Sequence, residues 1–425
     1  MRTAVTSFLL SVSLFAPAAA AEIIVVDQSS GDVLQDAIDA AAPGDTLLLQ
    51  GTSLFTAETA AIVGKGLTLI GDAPGFDPAF VLRRIAIRNL PAGQDVIIVH
   101  MNLAGPGGNG LILTNNVGSV RLFDVSTVGG IGKSANISGQ QAEPGFAGAY
   151  VKNCDDVVFV RSAIRGGHGG NVQSGQGTAT SPGGIGLEID HATVTLYDSG
   201  AIGGEGGQSG FIFAPLGSDG GTGAVNDGGR LYLFNSATQG GAGGENDDGG
   251  AHDVSGGLGF LQTGAGAAVQ LRDGSFVGGV GVGFSPDGAA SDIVDGTLDT
   301  FPTQLGRLEL ADVSPLREGE AITLLGQGMS GGTRVFLAFS FGPGLLPLPS
   351  REGVFTLGLP LAGELLFVGT SGPNNSIDHY PLGNVPELPV GFDEVHLFLQ
   401  AIESSMTGEV TLGTPEHLTL LDASF

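Results

Sequence analysis

The sequence predicts an all-β protein: a right-handed parallel β-helix (a solenoid) with glycine-rich loop insertions, followed by a C-terminal β-sandwich. Three observations lead to this fold class. A glycine pair recurs at a constant interval, and short apolar strands align between the copies. No helical pattern separates those strands. Beyond residue 305 glycine becomes rarer, and alternating apolar segments punctuated by prolines take over.

The composition limits the class of partner. The chain has 425 residues, of which 42% are hydrophobic and 14% charged, so there is enough apolar material for a core. Its 75 glycines show no Gly-X-Y period, which excludes collagen, and its single cysteine excludes an internal disulfide. The formal net charge of −27 opposes nucleic acid and anionic lipid, because both are polyanions. It suits neutral or cationic partners and divalent cations.

The N-terminus has the pattern of a secretory signal peptide. Arg2 is followed by the apolar run 8–15, and the small residues at 19–21 suit cleavage. We therefore expect residues 1–21 to be a signal peptide of bacterial type and the secreted or cell-surface chain to begin near Glu22. No later stretch of about 20 apolar residues predicts a membrane-spanning helix.

The β-helix is expected to span 22–300 and to begin with a capping helix near 33–42. A Pro-Gly pair at 43–44 ends that helix, and strands follow at 46–49 and 66–71. One helical face carries the apolar side chains Val33, Leu34, Ala37, Ile38 and Ala41. The helix, the APGDT turn and the KGLTLIG strand resemble the N-terminal cap and first coils of pectin-lyase-like parallel β-helix proteins. That resemblance implies the fold and says nothing about catalysis.

An internal repeat organises the middle of the chain. The glycine pair at Gly129-Gly130 returns after 37 residues (166 − 129), after 37 more (203 − 166) and again after 37 (240 − 203), and a fifth copy at Gly278-Gly279 is one residue late. The strand before each pair aligns too, which predicts two inward-facing files stacked between repeats. They are Val120, Val157, Val194, Leu231 and Val269, and Leu122, Phe159, Leu196, Leu233 and Leu271.

Two polar columns are predicted at the turns beside these strands. Small polar side chains at a turn tolerate left-handed backbone and can bond along the stack. The column before the strand resembles the asparagine ladder of β-helix folds and consists of Asn116, Asn153, Asp190 and Asp227. The column after it suits a charge-compensated surface ladder, although its carboxylates are also what a lyase site needs; its members are Asp124, Arg161, Asp198, Asn235 and Asp273.

Each repeat is longer than the roughly 20 to 25 residues that one coil needs. The excess follows each glycine pair, at about 129–147, 166–184, 203–221 and 240–258. Because every insertion leaves the same point of its coil, we expect a lobe along one side. Such a lobe is either a working surface or flexible decoration, and the sequence leaves both open.

The segment 305–425 predicts an antiparallel β-sandwich. Apolar stretches such as RVFLAFSF and EVHLFLQAI alternate with turn signals and show no helical period. This ending resembles the C-terminal β domains of bacterial exoproteins. No role follows from that resemblance.

Catalytic candidates come from the resemblance. Lyases of the pectin-lyase-like fold hold Ca²⁺ with clustered carboxylates and use an Arg or Lys base, and the related hydrolases use paired Asp residues with nearby His and Arg. The nearest match is NCDDVVFVRSAIRGGHGG, with the candidates Asp155, Asp156, Arg161, Arg165 and His168. It lacks the N-x-D and R-x-K motifs of the hydrolases, and turn chemistry explains its aspartates equally well.

Two acidic glycine loops are candidate Ca²⁺ sites, because a hard cation prefers carboxylate and carbonyl oxygens. Their candidate ligands are Asp219, Glu245, Asp247, Asp248 and Asp253. Neither loop matches an EF-hand, so a solvated acidic loop is the alternative. The sequence indicates no other cofactor.

Aromatic side chains are the candidate binding residues for a sugar, because rings cover apolar sugar faces. They are Phe123, Tyr197, Tyr232 and Phe234. Three of them follow an inward position by one residue, so we expect them to face outward in a stack beneath the loops. The alternative is that the glycine-rich lobe covers them.

These patterns favour a secreted extracellular or cell-surface structural or binding protein that presents its glycine-rich lobe to a polysaccharide or a partner protein. The alternative is a pectin-lyase-like polysaccharide lyase or glycoside hydrolase. Missing motifs and the acidic charge favour the first hypothesis. The second stays open, because β-helix enzymes assemble their sites from separate coils.

Overall fold

The computed structural model describes residues 22–425 with internal gaps. The gaps are 28–32, 51–58, 73–79, 136–139, 173–179, 210–216, 245–253, 283–286, 302–306, 311–314, 328–330, 349–352, 359–360, 362–364, 373–375, 389–392, 406–407 and 409. The predicted signal peptide at 1–21 lies outside the described residues. So do four candidate Ca²⁺ ligands: Glu245, Asp247, Asp248 and Asp253.

The chain is nearly all β, with 56% of residues in strands and 2% in helix. The helix α1 is Leu34–Ala40. The first twenty-one strands are β1 (Ile23–Asp27), β2 (Thr46–Gln50), β3 (Thr59–Val63), β4 (Leu67–Asp72), β5 (Phe80–Leu82), β6 (Arg84–Arg88), β7 (Asp95–Ala104), β8 (Leu111–Val128), β9 (Ala149–Val160), β10 (Ala163–Arg165), β11 (Leu187–Asp190), β12 (Thr193–Tyr197), β13 (Gly200–Ile202), β14 (Ala224–Asp227), β15 (Arg230–Phe234), β16 (Ala237–Gln239), β17 (Phe260–Thr263), β18 (Ala268–Arg272), β19 (Ser275–Val277), β20 (Ser291–Ile293) and β21 (Thr297–Phe301).

Ten further strands are described toward the C-terminus. They are β22 (Arg307–Leu310), β23 (Leu316–Arg317), β24 (Ala321–Gln327), β25 (Arg334–Ser340), β26 (Pro343–Leu348), β27 (Gly353–Leu357), β28 (Leu366–Thr370), β29 (Ile377–Asn384), β30 (Glu394–Ser404) and β31 (Val410–Leu421). The chain divides into two compact units. One comprises Val25–Pro43 and Leu47–Thr300, and the other contains Phe301–Phe425.

The predicted helix near 33–42 is confirmed, with one difference at its start. Leu34 and Ile38 are fully buried, as an apolar helical face requires. Val33 is the N-cap residue with extended backbone (φ −102°, ψ 120°) and is 43% exposed. It leaves the buried face because it precedes the first helical turn.

Strands β1–β21 form one large sheet, in which the strands of successive repeats pair in parallel. Both predicted inward files are confirmed. Val157 pairs with Val194 and Phe159 with Leu196, and all ten members of the files are buried. Each repeat therefore buries its apolar side chains against the repeats before and after it.

The predicted polar column after the strand is confirmed as a corner made by single residues with left-handed backbone. Its five members, from Asp124 to Asp273, have φ between 46° and 54°. Asp and Asn reach this conformation at low cost because their short side chains can bond locally. Asn235 donates from Nδ2 to Asp198 Oδ1 one repeat earlier, so the side chains bond along the stack.

The predicted column before the strand is wrong, because its four residues lie in three neighbouring files. Asn116 shares a file with Cys154, Asn153 shares one with Asn115, and Asp190 and Asp227 share one with Lys152. Asn116 is buried and pairs with Cys154, and its side chain bonds the backbone of Leu90 and Ile87. Asn153 instead lies on Asn115 at the exposed corner, where its Nδ2 donates to Asn115 Oδ1 at 3.1 Å. The left-handed file there is Asn89, Asn115, Asn153, His191 and Gly228. The turn contains one exposed residue with left-handed backbone and, next to it in the sequence, one buried amide side chain. Because asparagine suits both positions, aligning the repeats by sequence does not show which asparagine takes which position.

The glycine-rich insertions form an ordered backbone lattice. Each insertion has an outgoing segment after the glycine pair and a return segment before the next strand; the described outgoing segments are 129–135, 166–172, 203–209 and 240–244, and the return segments are 142–148, 180–186, 217–223 and 254–259. Neighbouring outgoing segments bond at every third residue: Gly166, Gly169 and Val172 donate to carbonyls 36 residues later at 2.8, 2.9 and 3.0 Å. A period of three is that of polyproline II backbone.

A second set of hydrogen bonds joins the outgoing layer to the return layer. Gly184 N donates to Gly167 O at 2.7 Å, Gly204 N to Gly184 O at 2.8 Å, and Gly221 N to Gly204 O at 2.8 Å. The series continues through Gly241, Gly257, Gly279 and Gly288, each donor lying 2.8 Å from its acceptor. The predicted lobe is therefore a two-layer slab of hydrogen-bonded backbone.

Close backbone approach explains the glycine content of this slab. A Cβ placed on Gly204 would lie 1.9 Å from Gly167 O and 2.9 Å from Gly184 N. A Cβ on Gly167 would meet Gly130 O at 1.9 Å, and one on Gly241 would meet Gly204 O at 1.9 Å. Each position needs a residue without a side chain, because a backbone carbonyl occupies the Cβ volume.

The C-terminal unit contains three sheets with mainly antiparallel pairing. Their strand orders are β23-β31-β30-β25-β28, β22-β24-β29 and β26-β27, and only the β23–β31 pair among those with a described register is parallel. The predicted all-β character of this part is confirmed. Its apolar core includes Leu316, Leu324, Val335, Leu337, Leu399, Leu418 and Leu420.

We predict that Gly204→Ala destabilises the N-terminal unit by about 2–3 kcal/mol, since the new methyl group displaces two packed glycine segments. The control is Gly200→Ala, at which a Cβ would meet nothing closer than Ala237 O at 3.9 Å and whose partners in neighbouring repeats are alanines. It should be neutral or stabilising by up to about 1 kcal/mol. Urea unfolding followed by circular dichroism measures both; equal effects would contradict the lattice.

Candidate functional site

In the outgoing segments, side chains at every third position form files along the stack. The first file is exposed except at the half-exposed Ala242 and consists of Ile131, His168, Glu205, Ala242 and Val280. The second file is half-exposed at Ser134 and Asn171 and exposed at Gln208. His168 Nδ1 and Glu205 Oε2 are 3.3 Å apart across neighbouring repeats, both about half exposed. Side chains of the second file also bond the slab, since Asn171 Oδ1 accepts from Gln208 N at 2.8 Å.

The structure gives the two predicted catalytic aspartates different surroundings. Asp155 is exposed, whereas Asp156 is buried. The Asp156 carboxylate accepts hydrogen bonds from both terminal nitrogens of Arg121 and from Ser119 Oγ. Arg121 is itself 2% exposed. A buried guanidinium that is held by a carboxylate is a structural arrangement, because each charge compensates the other.

The three predicted basic candidates also do not converge on the aspartates. Arg161 donates to both carboxylate oxygens of Asp124 at 2.8 and 2.7 Å. His168 pairs with Glu205 on the slab. Arg165 is exposed at the end of β10. The described contacts therefore place the five candidates at separate locations.

Asp124 is the most strongly held carboxylate of the corner file. His100 Nε2 lies 3.5 Å from one carboxylate oxygen, and Arg161 holds both. Burial alone would raise the pKa of Asp124, but the hydrogen bonds from His100 and Arg161 outweigh it and lower the pKa to about 2. Arg161 thus lies between Asp124 and Asp198, the next carboxylate of the corner file. A calcium ion shared by these two carboxylates would have to bind in that place.

Metal ligands do not assemble in the part of the chain that the structure describes: no group of three His, Cys, Asp or Glu side chains there could hold an ion. Asp219 is exposed, and its Oδ1 accepts from Ser255 N at 3.0 Å in the next return segment. The other four candidate ligands lie outside the described residues.

The predicted aromatic stack exists, but its rings are buried. The Tyr197 and Phe234 rings are stacked with centroids 4.7 Å apart, and Tyr232 and Phe234 are stacked at 6.5 Å. All three rings and Phe123 are at most 7% exposed. Their expected outward, sugar-facing role is therefore corrected: in this structure they pack, and they offer no open ring face.

A polar cluster that the sequence analysis did not single out lies on the outward face of β9 and β11. We call Tyr150, Lys152, Glu188, Asp190 and His191 the sheet-face cluster. Tyr150 pairs with Glu188 and Lys152 with Asp190 in the parallel register. Lys152 Nζ donates to Asp190 Oδ2 at 2.5 Å, His191 Nδ1 lies 2.6 Å from Asp190 Oδ1, and Tyr150 Oη lies 3.5 Å from Asp190 Oδ2.

The electrostatics of the cluster centre on Asp190. The hydrogen bond from Lys152, and then the one with His191, lower the pKa of Asp190. The same bond with Asp190 raises the pKa of Lys152. Burial, and then the Asp190 charge, raise the pKa of Glu188. Asp190 and Lys152 stabilise each other's charged form, and Glu188 is left as a partly desolvated carboxylate beside them.

Half-exposed apolar side chains border the cluster. Val225 pairs with Glu188 on β14, and Leu261 pairs with Val225 on β17. Ile185 and Leu258 lie in the adjoining return segments. The 37-residue repeat misses this pair, because it leads from Lys152 to Ile189, whereas the strand register pairs Lys152 with Asp190, 38 residues later.

No protein-family profile matches the chain, and no curated protein matches it either. In the described part of the chain, no helix has the length and apolar character needed to cross a bilayer.

We predict that Asp156→Asn destabilises the protein by about 3 kcal/mol, because it removes the carboxylate that accepts from both terminal nitrogens of the buried Arg121. The matched control is Asp155→Asn, one residue earlier and exposed, which should change stability by less than about 0.5 kcal/mol. Chemical denaturation of both variants measures the difference. Equal stability of the two variants would show that Asp156 does not hold Arg121.

We predict that Asp124→Asn costs about 2 kcal/mol at pH 7, because a carboxyl pKa lowered from 3.8 to about 2 favours the folded state. A lowered pKa contributes fully above about pH 4, and this contribution is lost as the pH falls toward 2. The stabilities of parent and variant should therefore converge near pH 2. Asp273→Asn, at an exposed position of the same corner, is the control, and a parallel pH profile for Asp124→Asn would refute the assignment.

Proposed function

We propose that this chain is a pectin-lyase-like right-handed parallel β-helix with a C-terminal β-sandwich, and that it acts as a secreted extracellular or cell-surface binding protein. Its glycine-rich lobe would present rows of side chains to a polysaccharide or a partner protein. The parallel pairing of repeats 37 residues apart supports the scaffold. The signal peptide pattern at 1–21 supports the location.

One observation carries the proposal: the lobe is a hydrogen-bonded slab. Hydrogen bonds at every third residue join neighbouring segments within a layer. Further hydrogen bonds join the outgoing layer to the return layer, so the backbone of each segment is held from two directions. A surface of this kind loses little conformational entropy when a partner binds. It exposes files such as His168–Glu205 and Asn171–Gln208 at fixed positions. These features favour a binding surface over flexible decoration.

A second candidate function is a polysaccharide lyase or glycoside hydrolase. The observation that favours it is the Asp190–His191 pair, since a carboxylate that accepts from Nδ1 orients the ring so that Nε2 can take up a proton. Lys152 adds a cation beside it. The separation of Asp156, Arg161 and His168 counts against the site expected from the resemblance.

We predict that the mature chain is retained on at least one neutral insoluble polysaccharide or glycan-array probe. The triple variant His168→Ala, Glu205→Ala and Gln208→Ala should weaken retention at least tenfold. It removes polar side chains from the exposed files of the outgoing segments and leaves every glycine of the slab in place. Asp155→Asn, away from the slab, is the control. If no glycan or purified surface-protein probe binds the parent chain, the binding role is wrong.

The enzyme hypothesis has its own assay. The chain is incubated with neutral and anionic polysaccharides, with and without Ca²⁺, and new reducing ends or unsaturated products are measured. An enzyme that uses the sheet-face cluster must lose turnover in His191→Ala. Absence of product on every substrate would reject this second candidate.

A further inference from the structure

We propose that the sheet-face cluster and the apolar side chains beside it form a binding site for a neutral oligosaccharide. This inference rests on the proposed extracellular binding role. It assigns a ligand class to a surface separate from the exposed files of the outgoing segments. Four features of this surface support the assignment: its hydrogen-bonding groups, its apolar neighbours, its strand register and its charge.

The hydrogen-bonding groups suit hydroxyls. A sugar hydroxyl both donates and accepts, so it needs donors and acceptors within a few ångströms of each other. Lys152 Nζ and Asp190 Oδ2 lie 2.5 Å apart, and Tyr150 Oη lies 3.5 Å from the same carboxylate oxygen. Among the described residues, none donates a hydrogen bond to the Glu188 carboxylate, which is half-buried. An adjacent, partly desolvated acceptor is ready to bind a hydroxyl donor.

The apolar neighbours suit the C–H face of a sugar ring. Tyr150 is half-exposed, in contrast to the buried Tyr197 and Tyr232. Val225 and Leu261 continue the same file beyond Glu188 and are also half-exposed. An aromatic ring and branched aliphatic side chains beside hydroxyl-binding groups give the mixed surface on which saccharides bind.

The register favours a chain-like ligand. Tyr150, Glu188, Val225 and Leu261 follow one another in successive strands, and parallel strands lie about 4.8 Å apart. A second file, Lys152, Asp190, Asp227 and Thr263, runs beside the first. A linear oligosaccharide lying across the strands would contact a new pair of side chains at each repeat, one from each file. Several weak contacts would then add along its length.

The negative charge of this face favours a neutral glycan over an anionic one. The cluster contains Glu188 and Asp190 against the single cation Lys152, and the whole chain carries a formal charge of −27. A uronic acid polymer would bring further carboxylates to this face and be repelled. Asp227, in the file next to Asp190, adds to that repulsion.

The test measures binding of cellohexaose, xylohexaose and mannohexaose to the mature chain by calorimetry, with hexagalacturonate as the anionic probe. The chain has four tyrosines and no tryptophan, so tyrosine fluorescence gives a second readout, and its change on binding should be lost in Tyr150→Ala. We expect at least one neutral hexasaccharide to bind at least tenfold more tightly than hexagalacturonate. Tyr150→Ala should weaken that binding about tenfold and Glu188→Gln about fivefold.

Asp273→Asn, at an exposed corner position outside both the cluster and the slab face, is the control and should leave hexasaccharide affinity unchanged. If Tyr150→Ala does not fold, Tyr150→Phe replaces it in the test, because this variant keeps the ring and removes only the hydroxyl. Thermal melts show whether each variant folds. Hexasaccharide binding that is equally strong in Glu188→Gln and Tyr150→Phe would overturn this site while leaving the binding role of the protein intact. Preference for hexagalacturonate, or no binding of any neutral hexasaccharide, would also overturn it.

Discussion

The rest of the N-terminal unit depends on one constraint: glycine segments approach so closely that a carbonyl lies where a Cβ would be. At Gly167, Gly204 and Gly241 this gap is 1.9 Å. Contact of this kind fixes the distance between repeats, and the backbone bonds fix their register. Because the parallel sheet and the slab share the same 37-residue step, an error in one would shift the other.

The same step converts a linear pattern into files of like side chains. Apolar files fill the interior, whereas polar residues with left-handed backbone turn the chain at the corners. The corner at Asp124 shows how charge is handled there, since Arg161 and His100 hold one carboxylate between them. Stacked acidic side chains would otherwise repel one another, and interleaved cations or amides relieve that repulsion.

Sequence reasoning succeeded where a single periodicity determines the outcome. The Val157 and Phe159 files, the capping helix and the placement of the insertions on one side followed from spacing alone. It was one residue out at the Asn116 turn, because an exposed left-handed asparagine and a buried amide are neighbours in the sequence. It left open whether the stacked rings of Tyr197 and Phe234 are accessible or covered, and the structure shows both buried.

The sequence by itself determined the all-β character, the repeat length and the residues that share a file, because these depend only on spacing and on side-chain type. Only the tertiary structure decided that the glycine insertions are an ordered slab, since their hydrogen bonds join residues far apart in the sequence, such as Gly166 with Ile202 within a layer and Gly184 with Gly167 between layers. It alone brought Lys152 and Glu188 to Asp190, and it gave Asp156 a buried arginine as partner. The physical reason is that such contacts depend on which strand lies beside which, and no local propensity encodes that.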